Sequence, residues 1–128
     1  MPIANYTSGV AADRSRGEVE RMLVAAGARG ISTEYDNRGR AVGLHFAMPG
    51  RRGGLDHYRL PVRIAGTLAA LERDGVERRY RTIEHAEKVA WRCLRDWVRA
   101  QLALIAAGLS TVDEVMFPHS ITRTGATA

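Results

Sequence analysis

Apolar and polar residues alternate along two neighbouring stretches of the chain, residues 29–36 and 41–48. Alternation with a period of two is typical of a strand that buries one face. In the second stretch that face is formed by Val42, Leu44, Phe46 and Met48. The turn-forming residues at 36–39 separate the two stretches and predict a hairpin. A third strand of the same sheet is predicted over residues 55–60, after a glycine-rich turn.

Helical spacing of apolar residues predicts a first helix after residue 15. Ser15 and Glu18 have the spacing of a capping box, in which the serine hydroxyl accepts from the amide three residues later. Gly27 is expected to end this helix, because glycine adopts the left-handed conformation at little cost. The apolar face in between is formed by Val19, Met22, Leu23 and Ala26.

Two further helices are predicted in the second half of the chain. The shorter one covers residues 62–73, and the longer one covers residues 82–107. Thr82 is the expected N-cap of the longer helix and Gly108 its expected stop. The longer helix is apolar on two flanks, which is typical of a helix wedged between layers or contributing to an oligomer interface.

These elements predict an α+β fold. With a short strand expected over residues 3–10, the order is β-α-β-β-β-α-α, followed by a short turn or helix at 110–118. We expect an antiparallel sheet of three to four strands, packed by helices on one face. Residues 1–118 are predicted to form a single domain and residues 119–128 a flexible C-terminal tail.

Composition narrows the class of protein. The chain has 128 residues and a formal net charge of +5, which fits one soluble domain. A single cysteine excludes an internal disulfide framework. We find no apolar run of the roughly 20 residues that a membrane span needs, and no signal peptide, so the expected location is the cytoplasm and no membrane partner is expected.

Candidate catalytic groups are few. His45 and His57 fall on neighbouring predicted strands. They are interpreted either as a metal-binding or acid–base pair or, more simply, as two solvated residues of the sheet. Cys93 lies on an apolar flank of the long helix and is interpreted as structural. Motifs for phosphate loops, zinc sites and nucleophilic triads are missing. We therefore expect no enzymatic activity, no metal and no cofactor.

Arginine dominates the positive charge, with 18 arginines and a single lysine, Lys88. Codon bias explains such an excess, and so does phosphate recognition, because the planar guanidinium binds phosphate oxygens two at a time. Two groups stand where a partner can reach them, a hairpin tip and the segment before the long helix. These candidate nucleic-acid or phosphate-binding residues are Arg51, Arg52, Arg78, Arg79, Tyr80 and Arg81, with Tyr80 as a stacking surface.

The chain also resembles a family of small, functionally obscure proteins of phages and prophages. The resemblance is carried by NYT at 5–7, by Gly-Ala at 27–28, by YRLP at 58–61, and most clearly by AEKVAWRCLRDWV at 86–98, which QLALI continues at 101–105. It implies an accessory protein in phage nucleic-acid processing or in counter-defence, and the host cytoplasm as its location. It brings no catalytic residues.

Three functions therefore compete. The first is a non-enzymatic protein that binds DNA or RNA through its arginine-rich loops. The second is a protein-binding inhibitor of a host defence complex, for which Trp91 and Trp97 matter if they are exposed. The third is a nucleotide-binding sponge with a pocket between sheet and helices. A homodimer through the long helix 82–107 is compatible with each of them.

Overall fold

The structure, a computed structural model, describes residues 1–50 and 53–121. It has one sheet, four α-helices and two short 3₁₀ turns in this part of the chain. In chain order the elements are α1 (Ala12–Ala25), β1 (Arg29–Tyr35), β2 (Ala41–Pro49), β3 (Leu55–Pro61), α2 (Ile64–Arg73), a 3₁₀ turn (Arg78–Tyr80), α3 (Ile83–Ala106), α4 (Val112–Met116) and a second 3₁₀ turn (Phe117–His119).

The sheet is antiparallel with the order β1-β2-β3, so β2 is central and both of its neighbours are joined to it by hairpins. The predicted α+β class is confirmed. Alternate residues of β2 face the core, where Leu44, Phe46 and Met48 are almost completely buried. Facing residues share one side of a sheet, so Tyr58 and Leu60 of β3 join the same core.

Trp91 of α3 connects the helical layer to the sheet. Its ring is fully buried, and its indole Nε1–H donates to the backbone oxygen of Ala41 over 3.0 Å. The donor of a buried indole needs such a partner. The bond fixes α3 beside the start of β2, because Ala41 is the first residue of that strand.

The first helix begins earlier than predicted. α1 starts at Ala12, and its N-cap Ala11 makes no side-chain capping bond. Ser15 lies inside the helix and is fully buried, so the predicted capping box is wrong. Glu18 instead accepts from Arg92 and Arg95 of α3 over 2.8 and 2.9 Å. Tertiary ion pairs have replaced the local bond that the spacing predicts.

The predicted first strand is also wrong. Residues 4–7 form a turn in which Asn5 has a φ of 64°. Its side-chain amide donates to Asp96 Oδ2 over 2.9 Å, and the thiol of Cys93 donates to the carbonyl of Ala4. These contacts attach the N-terminal segment to α3 rather than to the sheet, which therefore has three strands.

The other helix boundaries follow local chemistry. Thr82 caps α3 by accepting from the amide of His85, as predicted. Gly27 and Gly108 end α1 and α3 with φ of 102° and 75°, values that favour glycine. α2 begins two residues later than predicted, because the amide of Val62 still donates across the sheet to the backbone of β2.

The end of the described chain returns to the sheet. Ser120 forms an isolated antiparallel bridge with Tyr58, and the amide of Ile121 donates to the carbonyl of His57 over 2.9 Å. This bridge lies at the start of the predicted tail, whose residues 122–128 are outside the described part of the chain.

Within residues 1–50 and 53–121, no helix combines the length and the apolar character needed to cross a lipid bilayer.

Candidate nucleic-acid interface

Residues 78–81, which we name the connector, link α2 to α3. Arg78, Arg79 and Arg81 are exposed, and no described carboxylate lies within ion-pair distance of any of them. Arg78 and Arg81 line a shallow hollow of about 350 Å³ together with Glu72. The three guanidinium groups are therefore available to an external anion.

Tyr80 holds the connector in place. Its half-buried ring meets Tyr6 edge-on with a centroid separation of 5.9 Å, and it lies 4.9 Å from the ring of His85. The guanidinium carbon of Arg79 lies 4.7 Å from the centroid of the same ring, in cation–π geometry. These contacts make Tyr80 an anchor of the connector, and a base can stack on the ring only if one of them opens.

A cavity of about 540 Å³ opens beside the connector, at the end of the sheet where β3 leads into α2. We name it the end cavity. Ile83, the first residue of α3, lies in its wall two residues after Arg81, so the connector and the cavity adjoin. Its basic side chains come from the β1–β2 turn, from β3 and from the residue before α2, and they are Arg38, Arg40, Arg59 and Arg63.

Asp36 organises the turn that carries two of these arginines. Its Oδ1 accepts from the backbone amides of Arg38 and Arg40, each over 2.9 Å. The bond from the Arg40 amide, together with the one from Arg38, holds the pKa of this carboxyl below its usual range, although burial opposes the effect. The only acidic side chain among the described cavity-lining residues thus has its charge directed at the turn backbone.

Glu34 pairs with Arg59 on the open face of the sheet. Arg59 donates from Nε and Nη2 to the two carboxylate oxygens over 2.8 and 3.0 Å, and Nε2 of His45 lies 2.8 Å from Oε1. The hydrogen bond from Arg59, followed by that from His45, lowers the pKa of the Glu34 carboxyl from 4.5 to about 2. Arg59 is therefore largely neutralised.

The remaining three arginines of the end cavity differ in their pairing. Arg40 lies 3.7 Å from Glu84, a loose contact at the start of α3. Arg38 and Arg63 are exposed, and no described acidic group forms an ion pair with either. The cavity therefore presents two guanidinium groups, those of Arg38 and Arg63, that have no ion-pair partner in the described chain.

The two predicted arginine groups differ in what the structure shows of them. Arg51 and Arg52 lie outside the described residues. The described residues that flank them, Gly50 and Gly53, follow the C-terminal end of β2. The end cavity adjoins the opposite end of that strand, about 27 Å away at roughly 3.4 Å per residue.

The sequence suggested a pocket between sheet and helices as one of three alternatives, but it did not identify the arginines that line the end cavity. Its four arginines are spread over 26 positions, from Arg38 to Arg63, and only the turn and the start of α2 bring them together. The available signal was Arg38 and Arg40 in a turn opened by Asp36, because an aspartate that binds the turn backbone leaves neighbouring side chains pointing outward.

The two histidines and the cysteine named as candidate chemical groups lie in surroundings that favour a structural role. His45 faces Arg59 across the sheet and His57 faces Ala47, so the two histidines share a face without facing each other directly. No group of three potential metal ligands occurs among residues 1–50 and 53–121. Half-burial raises the pKa of the Cys93 thiol, which disfavours the reactive thiolate.

Comparison with protein-family models, with curated proteins and with solved structures gives no match. The resemblance to small phage proteins therefore stays a prediction, and the function is argued from the geometry of the basic end of the molecule.

Proposed function

We propose that this chain is a small, non-enzymatic nucleic-acid-binding protein that contacts the phosphate backbone of DNA or RNA through its connector. The observation that carries the proposal is the state of Arg78, Arg79 and Arg81, which are adjacent, exposed and without an ion-pair partner in the described chain. Tyr80 anchors the segment that bears them, so little order has to be imposed on the backbone when a ligand binds.

Electrostatics sets the expected behaviour. A guanidinium that neutralises a phosphate releases a counterion, so affinity falls with salt by roughly 0.7–0.9 decades per decade of salt for each contact. Three connector arginines predict a slope of roughly two to three. Contacts of this kind follow the backbone and carry little sequence information, which suits an accessory protein of phage nucleic-acid processing or counter-defence.

The test is binding of labelled single- and double-stranded oligonucleotides, measured by fluorescence polarisation at two salt concentrations. The triple substitution Arg78→Gln, Arg79→Gln and Arg81→Gln is expected to weaken binding by more than tenfold and to flatten the salt dependence. A control carries the same loss of charge at exposed arginines elsewhere, Arg21→Gln, Arg29→Gln and Arg99→Gln.

The control is expected to bind far better than the connector variant. Equal weakening of both variants would mean that net charge alone attracts the nucleic acid, and no binding of the wild type at low salt would end the proposal. A separate pair, Arg51→Gln and Arg52→Gln, tests whether the hairpin tip contributes to the same binding.

A protein-binding role is the second candidate. It is favoured by exposed apolar residues near the C-terminal end of α3 and beyond it. Leu104 is exposed, and Leu109 and Phe117 are 72% and 67% exposed. Trp91 is fully buried and Trp97 is half-buried against His119, so the apolar surface is formed by other residues than the tryptophans. Such a surface fits a homodimer through α3 or contact with a host protein complex.

A further inference from the structure

The end cavity has the size of a small-molecule site. Its volume of about 540 Å³ lies within the range of roughly 300–1,000 Å³ that ligand pockets occupy. It is bounded by the β1–β2 turn, the end of β3 and the start of α2, three segments that the sheet and its hairpins hold together. A group that enters it therefore meets a largely preformed wall.

The lining divides into a basic rim and an apolar floor. Arg38 comes from the β1–β2 turn and Arg63 is the residue before α2, and neither has an ion-pair partner among the described residues. Val42, Val62 and Ile83 belong to the apolar part. Two guanidinium groups that line the same cavity as apolar side chains suit a ligand with one anionic end and one apolar or planar end.

Three carboxylates lie near the end cavity, and each is bound to a group other than the guanidinium groups of Arg38 and Arg63. Asp36 is bound to the backbone of its own turn, and Glu34 is bound to Arg59 and His45. Glu84 lies beside Arg40 at 3.7 Å. Each carboxylate that adjoins the cavity thus has a donor of its own. Asp36 attracts Arg38 and Arg40 electrostatically, but none of the three carboxylates forms an ion pair with Arg38 or Arg63.

We propose that the end cavity binds a phosphomonoester joined to a planar or apolar group, for which a nucleoside monophosphate is the simplest example. The two free guanidinium groups bind the phosphate oxygens, and the apolar floor contacts the organic group. The site is separate from the connector, because none of the connector residues lines it. It can hold either a free mononucleotide or the phosphorylated end of a strand.

The test measures thermal unfolding with AMP, adenosine and inorganic phosphate at constant ionic strength. Saturating AMP is expected to raise the midpoint of unfolding of the wild type, since a ligand that binds only the folded state stabilises it. Adenosine and inorganic phosphate are expected to do so less, because each supplies one of the two ends.

The double substitution Arg38→Gln and Arg63→Gln is expected to weaken AMP binding by at least about tenfold. Both side chains are exposed and unpaired, so the unliganded variant is expected to unfold at the wild-type temperature. Arg21→Gln with Arg99→Gln is the matched control and is expected to bind AMP as the wild type does. A second variant, Ala65→Leu, keeps every charge but narrows the cavity, and it too is expected to weaken AMP binding.

The two sources of the ligand are separated by comparing 5′-phosphorylated and 5′-hydroxyl forms of one short oligonucleotide. If the wild type prefers the phosphorylated strand and Arg38→Gln with Arg63→Gln abolishes that preference, the ligand is a strand end. If AMP binds but the phosphorylated strand is not preferred, the ligand is a free nucleotide. The proposal is overturned if AMP stabilises the wild type and Arg38→Gln with Arg63→Gln equally, or if AMP does not bind at all. The variant with the three connector arginines replaced is expected to bind AMP as the wild type does. Loss of nucleic-acid binding through the connector can therefore be distinguished from loss of AMP binding in the end cavity.

Discussion

At the scale of single residues, ion pairs on the sheet and between the helices determine which arginines are free. Glu34 engages Arg59 with both carboxylate oxygens. Glu18 binds Arg92 and Arg95. Burial raises the pKa of the Glu18 carboxyl, but the two arginines outweigh this effect, so that its pKa is lowered. Among the described arginines, those of the connector and two at the end cavity, Arg38 and Arg63, have no such partner; neither do Arg21, Arg29 and Arg99, which lie elsewhere on the surface. Local pairing therefore sorts an arginine excess into structural and available groups.

The Glu34 pair predicts a specific dependence of stability on pH. Its pKa is about 2 in the folded protein against an ordinary value of 4.5, so the pair stabilises the fold fully above pH 4.5. This contribution is lost as the pH falls from about 4.5 towards 2. Chemical denaturation of the wild type and of Glu34→Gln is expected to differ by about 1 kcal/mol at pH 7, since solvent screens this partly exposed pair.

The same comparison at pH 2.5 is expected to show a much smaller difference. The carboxyl of the unfolded chain is protonated at that pH, so ionising it on folding offsets most of the stabilisation. Glu77→Gln, which removes an exposed carboxylate without an ion pair in the described chain, serves as the control. A difference between wild type and Glu34→Gln that stays constant from pH 7 to pH 2.5 would contradict the interpretation.

At the scale of elements, α3 organises the molecule. It packs against both α1 and α2. The N-terminal segment is attached to it through Asn5, and its first turn adjoins the connector and the end cavity. The two apolar flanks seen in the sequence are explained by this wedged position. An α3 that shifts would therefore disturb the core and the basic end together.

Trp91 is the residue through which this coupling can be tested. Trp91→Phe removes the donor to the Ala41 carbonyl and part of a fully buried ring. We expect a loss of about 2–4 kcal/mol in the free energy of unfolding, from the cavity and from the unsatisfied carbonyl. Urea denaturation followed by circular dichroism measures it. Trp97→Phe, at a half-buried position without that bond, is expected to cost clearly less.

At the scale of the whole molecule, the two ends of α3 differ in their exposed side chains. The unpaired arginines of the connector and of the end cavity lie at the start of α3, whereas the exposed Leu104 and Leu109 lie at its end. α3 has 24 residues and is about 36 Å long at roughly 1.5 Å per residue. This is the arrangement we expect if phosphates bind at one end of α3 and a second copy of the chain binds at the other.

The apolar end predicts self-association. Sedimentation velocity over a range of concentrations is expected to show a dimer of the wild type that the substitutions Leu104→Glu and Leu109→Glu convert to a monomer. Val24→Glu, on the exposed side of α1, is the matched control and should leave the dimer intact. A wild type that stays monomeric at every concentration would exclude the dimer.

Much of the fold was predictable because its signals are local. The period-two pattern of β2, the Thr82 cap and the glycine stops at Gly27 and Gly108 each depend on neighbouring residues, and the structure has all of them. The N-terminal strand and the capping box at Ser15 failed for the opposite reason. In both cases long-range partners on α3 bind groups that local patterns assign elsewhere.

The sequence by itself determined the α+β class, the hairpin order of the sheet, the long helix and the exposed connector with its arginines. The tertiary structure alone decided which arginines are neutralised and which meet around the end cavity. The physical reason is separation along the chain: a cap or a strand pattern is set by residues a few positions apart, whereas Arg38 and Arg63 become neighbours only when the sheet and α2 are packed.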